Sequence, residues 1–190
     1  MAARSRRTAR AGSVRIIGGR WRGRRLAVAD ATSTRPTPDR VRETLFNWLA
    51  PVLPGARCLD LYAGTGALGV EALSRGASNV VFVERNATVA RQIETSLDML
   101  GAEGGHVVTA DVEAFLNGTP VASDVVFLDP PYGTVLDNLC TLLEQGWLAP
   151  RARIYLEWNR KQAPPSLPPS WQLLRDKAAG QVQFGLAERG

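Results

Sequence analysis

Residues 80–83 read Val-Val-Phe-Val and residues 125–128 read Val-Val-Phe-Leu, apolar at every position rather than at every second one. Strands of that kind are buried on both faces, as in a parallel sheet with helices on each side. Similar runs predict strands at 57–61, 79–84, 106–110, 124–129 and 152–157. The stretches between them predict helices near 67–75, 86–100, 111–117 and 135–146. Strand and helix in alternation define an α/β chain with a doubly wound sheet. After the proline-rich residues 164–169, segments 171–176 and 181–187 flank Ala178-Ala179-Gly180 and predict a terminal hairpin.

Ahead of this region, Val14-Arg15-Ile16-Ile17-Gly18-Gly19 and Arg24-Arg25-Leu26-Ala27-Val28 are short strand-like runs joined through Trp21 and Gly23, and they predict a β-hairpin. Its turn is expected to expose Arg20, Arg22, Arg24 and the Trp21 ring, a cationic and stacking surface suited to RNA; Arg15 and Arg25 join the same RNA-binding set. Thr34-Arg35-Pro36-Thr37-Pro38 reads as a stiff linker. Asp39 is the expected N-cap of a helix reaching about Ala50, with Val41, Leu45, Trp48 and Leu49 on its buried face.

A length of 190 residues suits one domain with a sizeable core and an appendage, divided here into a basic arm with hairpin (1–34) and a catalytic domain (35–190). Charge sharpens that division. Residues 1–42 hold twelve arginines against Asp30 and Asp39, whereas residues 43–190 hold eleven basic and sixteen acidic side chains. A basic arm on an acidic body is the footprint of phosphate-backbone binding. For residues 1–12 alone, a solvated leader or an organellar transit peptide fits the composition as well, but a secretory signal does not, because no apolar core follows Arg6-Arg7. Cys58, Cys140 and His106 make neither a disulfide framework nor a metal-ligand set, which suits a reducing, cytoplasmic setting. No apolar run is long enough to span a bilayer.

The predicted strand at 124–129 runs into Asp129-Pro130-Pro131-Tyr132. Two prolines donate no backbone N–H, so the turn offers a ligand only carbonyl acceptors. With the Asp129 carboxylate they can accept both hydrogens of a planar –NH2 group while Tyr132 stacks on the ring that carries it. These four residues, taken as the catalytic set, resemble the Asp/Asn-Pro-Pro-Tyr/Phe motif of S-adenosylmethionine-dependent methyltransferases that modify exocyclic amines of nucleobases. The bland alternative is a strand-terminal turn with a surface tyrosine.

Leu59-Asp60-Leu61-Tyr62-Ala63-Gly64-Thr65-Gly66-Ala67-Leu68-Gly69 follows the first long strand and satisfies G-x-G-x-x-G, so a dinucleotide site competes. Asp60 argues against it, since a carboxylate beside the loop repels a pyrophosphate but not an ammonium or a sulfonium. Asp60, Ala63, Gly64, Thr65 and Gly66 resemble the first methyltransferase motif. Glu84 ends the next strand and suits ribose hydroxyls in either cofactor. Asp111 matches the methyltransferase acid that reads the adenine amino group. Each acid alone would equally serve as a cap or a solvated loop residue, yet together they stand at successive strand ends, where open α/β sheets bind ligands.

Two longer stretches, Arg35-Pro36-Thr37-Pro38-Asp39-Arg40-Val41-Arg42-Glu43-Thr44-Leu45-Phe46-Asn47-Trp48-Leu49 and Leu68-Gly69-Val70-Glu71-Ala72-Leu73-Ser74-Arg75-Gly76-Ala77, are similar to the RsmD family of bacterial 16S rRNA guanine-N2 methyltransferases. Ile17-Gly18-Gly19-Arg20-Trp21-Arg22-Gly23 and Tyr155-Leu156-Glu157 extend the likeness, while Gly185 stands where a bulkier residue is expected. The resemblance implies a Rossmann-like methyltransferase fold with a seven-stranded, mostly parallel sheet whose last strand is antiparallel. It implies S-adenosylmethionine as cofactor, no metal, and a monomer acting on 16S rRNA within an assembling 30S subunit. Arg35 and Thr37 are expected to help close the cofactor pocket. A DNA adenine or cytosine amino-methyltransferase, and an RNA-binding assembly factor without catalysis, are the competing functions.

Overall fold

The computed structural model describes residues 12–28, 37–131 and 133–190, and in it the apolar runs form the predicted strands. They are β3 (Arg57–Leu61), β4 (Asn79–Glu84), β5 (Gly105–Thr109), β6 (Ser123–Leu128), β7 (Leu148–Asn159), β8 (Trp171–Ala179) and β9 (Val182–Arg189). The sheet order is β5-β4-β3-β6-β7-β9-β8, with β5 to β7 parallel neighbours and β9 antiparallel to both β7 and β8. This is a Rossmann-like methyltransferase fold. The chain leaves β3 toward one edge and returns through β6 on the other side, so β3 and β6 flank the switch point where such sheets open a crevice.

Strict alternation assigns the side chains to two cores. Cys58, Val80, Phe82, Val125, Phe127 and Tyr155 face helices α1 (Asp39–Leu49), α2 (Ala67–Ser74) and α3 (Ala87–Leu100). Leu59, Leu61, Val83, Val126, Leu128 and Leu156 face α4 (Val112–Leu116) and α5 (Leu136–Leu143). With both faces covered, no position of β6 after Asp124 can remain polar, which explains its unbroken apolar run.

Strands β1 (Ser13–Arg15) and β2 (Arg25–Ala27) form the predicted hairpin. It does not hang free: Ile16, Trp21 and Leu26 are buried in the same core as α1 and α2. The Glu71 carboxylate, fully buried on α2, accepts the backbone N–H groups of Ile17 at 2.7 Å and Gly18 at 2.8 Å. It also pairs with Arg75 at 2.7 Å and lies 3.8 Å from Arg42. Gly19 seats the hairpin closest, since a Cβ there would fall 1.8 Å from the Ser74 carbonyl oxygen.

Three expectations change. Trp21 is buried, with its backbone N–H donating to Ser74 Oγ, so its ring offers no open stacking face to RNA. The N-cap of α1 is Pro38 without a side-chain cap; Asp39 is the first helical residue and pairs instead with Arg42 at 2.7 Å and Arg15 at 3.7 Å. Trp48 is half-buried and stacks on Phe184, while the fully buried members of α1 include Arg42 and Phe46. Gly185 is where the last strand admits nothing larger: a Cβ would meet Leu173 Cδ1 at 2.9 Å and the Arg175 carbonyl oxygen at 3.2 Å.

Candidate active site

Asp60, Asp129 and Glu157 come from three adjacent strands and share one side of the sheet. Each lies two residues beyond, and so on the same face as, a core residue of the α1 side: Cys58, Phe127 and Tyr155. In the ladder, Leu61 pairs with Leu128 and Leu128 with Leu156, so Asp129, just past the end of β6, stands beside Glu157, which is still within β7 and paired with Phe184. They line a cleft of about 340 Å³ with Thr37, Tyr62, Ala63, Gly64, Thr65, Pro130, Pro131, Trp158, Asn159 and Gln162 among its walls. Among the described residues that line it there are three carboxyl groups and no lysine, arginine or histidine.

The glycine loop is held tightly under this cleft. Asp60 Oδ2 accepts the Gly69 N–H at 2.8 Å, and a Cβ on Gly69 would strike Phe82 Cε1 at 2.2 Å, so the third glycine of the pattern is required by helix-to-strand packing. Tyr62 takes a left-handed φ of 62°, unusual for a side chain of its size, and turns the chain sharply out of β3. Burial drives the Asp60 carboxyl well above its ordinary pKa, against the opposing effect of the Gly69 hydrogen bond, and the charges of Asp129 and Glu84 push the same way as burial. A cation in the cleft would relieve this cost; a pyrophosphate would add to it.

At the Asp129-Pro130-Pro131 turn the two proline carbonyls differ. Pro131 accepts both the N–H and the hydroxyl of Thr134, at 3.2 and 2.9 Å. Among the described residues none donates to the Pro130 carbonyl, which leaves it as the free acceptor beside Asp129. Thr37, at the entry to α1, donates to Asp129 Oδ2 at 2.9 Å. Burial raises the Asp129 pKa to about 6, with the Thr37 hydrogen bond opposing it. Tyr155 donates to Glu157 Oε2 at 2.8 Å; burial and the neighbouring Asp129 raise Glu157 to about 8.

Not every expected residue reaches this cleft. Glu84 is not among the residues lining the cleft; its Oε2 accepts the Gly64 N–H at 3.0 Å and its Oε1 the Asn86 N–H at 2.8 Å. Its remaining lone pairs stay available. Asp111 caps α4, accepting from the N–H groups of Glu113 and Ala114, and is exposed outside the cleft lining. Gly66 opens α2 in the left-handed region at φ 72° and is buried beneath the loop. Tyr132 and Arg35 lie outside the described residues. Arg15, Arg20, Arg22, Arg24 and Arg25 are exposed on the hairpin. The wall formed by Glu157, Trp158, Asn159 and Gln162 belongs to the end of β7 and the turn after it; of these only Glu157 falls in a stretch of family likeness, Tyr155-Leu156-Glu157, and that stretch has no site role attached.

A family model described as Conserved hypothetical protein 95 matches residues 14–188. Ribosomal RNA small subunit methyltransferase D of Escherichia coli (strain K12) is 47% identical, covering 94% of this chain and 91% of the relative. The protein of the same name from Haemophilus influenzae is 45% identical, covering 92% and 93%. The solved structure of the putative methyltransferase yhhF from Escherichia coli superposes with a TM-score of 0.88 at 45% identity, covering 94% of this chain and 98% of that one. A model matching nearly the whole chain and relatives of this similarity over nearly their whole lengths settle the kinship: the chain belongs to the ribosomal RNA small subunit methyltransferase D family.

Proposed function

We propose that this protein transfers a methyl group from S-adenosylmethionine to the exocyclic N2 amine of one guanine in 16S rRNA. The observation that carries the reading is the union, in one acid-lined cleft, of the glycine loop with Asp129 and a Pro130 carbonyl to which none of the described residues donates. Bound there, S-adenosylmethionine supplies a methyl group on a sulfonium, already a good leaving group.

The chain's own residues then have three tasks. Asp60, Ala63, Gly64, Thr65 and Gly66 would hold the methionine portion, whose positive charges match the acidic walls, while Glu84 and Asp111 would take the ribose and adenine amino group. Asp129 and the Pro130 carbonyl accept the two amine hydrogens and so fix the nitrogen lone pair toward the methyl carbon. As that nitrogen gains positive charge, both acceptors strengthen relative to the ground state, which lowers the barrier. Asp129 need not be a strong base, because a methylated aromatic ammonium is very acidic. Tyr132 would hold the flipped base by stacking, worth about 1–3 kcal/mol.

Guanine N2 is paired in a helix, so the target is expected in an unpaired loop whose base can leave the stack. The exposed Arg15, Arg20, Arg22, Arg24 and Arg25 suit phosphate contacts, and the relatives' name points to ribosomal RNA as the partner. The protein then acts as a cytoplasmic monomer on small-subunit particles during assembly; among the described residues no helix is long and apolar enough to cross a membrane. Mass mapping of rRNA nucleosides from cells with and without this protein tests the reading: one N2-methylguanosine of 16S rRNA should vanish without it, and an unchanged 16S map would refute it.

A further inference from the structure

Glu157 is not assigned a role by the catalytic motif, yet it stands beside Asp129. The two acids follow the paired residues Leu128 and Leu156 on neighbouring parallel strands and point to the same side of the sheet. One oxygen of Glu157 is pinned by the Tyr155 hydroxyl at 2.8 Å, and Tyr155 is itself fully buried in the core, so the carboxyl is held in place from below. Its other oxygen takes no hydrogen bond from the described residues, and the side chain lines the cleft.

A nucleobase amine held by Asp129 and Pro130 brings its neighbouring ring nitrogen with it. In guanine the ring nitrogen flanking the 2-amine on the Watson–Crick edge is N1, which carries a hydrogen, while N3 on the other flank carries a lone pair; in adenine and cytosine the Watson–Crick ring nitrogen flanking the amine carries a lone pair. An acceptor fixed beside Asp129 therefore welcomes the first and repels the other two. We infer that Glu157 is a specificity residue that accepts the N1–H of the target guanine and so selects an amine flanked by an N–H. This inference rests on the guanine-N2 reading and deepens it.

The test replaces the target guanine of 16S rRNA by 2-aminopurine, which keeps the 2-amine but presents a lone pair at N1, and assembles both RNAs into small-subunit particles. Methyl incorporation at N2 is compared above pH 8, where Glu157 is ionised and can only accept, for the wild type and Glu157→Gln, whose amide has both an acceptor and a donor to offer. The wild type should favour guanine by at least about 100-fold, because a site built around a hydrogen bond rejects the analogue that lacks it. In Glu157→Gln the preference should shrink to within about 10-fold, with S-adenosylmethionine binding by calorimetry unchanged, which also certifies the fold. A variant that keeps the wild-type ratio, or a wild type that methylates both bases equally, would overturn the role of Glu157. Methylation of guanine at an atom other than N2 would instead overturn the reading beneath it.

Discussion

Thr37 Oγ1 donates a 2.9 Å hydrogen bond to Asp129 Oδ2, joining the entry of α1 to the turn that follows β6 across 92 residues of sequence. Because the hydrogen bond favours the ionised carboxylate and burial opposes it, Thr37 sets where Asp129 loses its proton. Thr37→Val removes the donor while keeping the shape. The acid limb of kcat/KM for methyl transfer should then move to higher pH with little change in cofactor affinity. An unmoved limb in a pH–rate series would mean that this contact has no part in tuning the acid.

The wild-type pH dependence follows from the same two acids. Asp129 must be ionised to accept the amine hydrogens, so kcat/KM should rise through about pH 6. Glu157 gives up its proton nearer 8, so a second rise is expected there, and Glu157→Gln should erase it. The groups face one another, so both limbs belong to the pair rather than to either acid alone. Stability should run the opposite way. The native chain keeps these protons after the unfolded chain has lost its own, so denaturation midpoints should fall as pH rises from about 4 toward 8, and bound S-adenosylmethionine should oppose the fall. Midpoints that climb steadily over this range would contradict the assignment.

Asp129→Ala should cost roughly 100-fold or more in turnover, the loss typical of a single preorganised polar group, while cofactor affinity changes little. Glu84→Ala should do the reverse. It removes the acceptor that secures the Gly64 N–H as well as the expected ribose contacts, each charge-assisted bond being worth about 1.5–3 kcal/mol, so calorimetry should show markedly weaker cofactor binding. If both variants lost the same property, the separation of the cleft into a cofactor side and an amine side would fail.

Glu71 gives the hairpin its anchor. Glu71→Ala would free the N–H groups of Ile17 and Gly18 and leave the buried Arg42 with fewer partners, a change expected to cost about 3–5 kcal/mol in urea unfolding. Because the hairpin shares the core, charge substitutions test RNA binding more cleanly than deletion of residues 1–30. Replacing Arg20, Arg22, Arg24 and Arg25 by Gln should reduce the salt dependence of particle binding and spare cofactor affinity. An unchanged salt slope would show that the hairpin arginines do not touch phosphate.

What could be read from the chain divides along physical lines. The strands were legible because a sheet covered on both faces demands apolar residues at every position, as in Val80 to Val83. Asp60 and Asp129 were legible because glycine and proline spacing marks their turns. Trp21 was misjudged: its glycine and arginine neighbours read as an open turn, whereas the ring folds back onto the core beside the end of α2. Glu157 reads in sequence as one acid at a strand end. Only the register that sets Leu156 against Leu128 shows that it stands beside an acid 28 positions earlier. Thr37 was suspected of closing the pocket, but its partner is visible only once α1 is packed on the sheet.

The central claim is most directly tested by one incorporation experiment. Purified protein and isotopically labelled S-adenosylmethionine are incubated with small-subunit particles from cells lacking the enzyme, and the rRNA is digested and resolved by mass spectrometry. The account predicts label in N2-methylguanosine, at a single site of 16S rRNA, with assembled particles preferred to naked RNA. Label in a methylated adenosine or cytidine, or no label in any nucleoside, would contradict it.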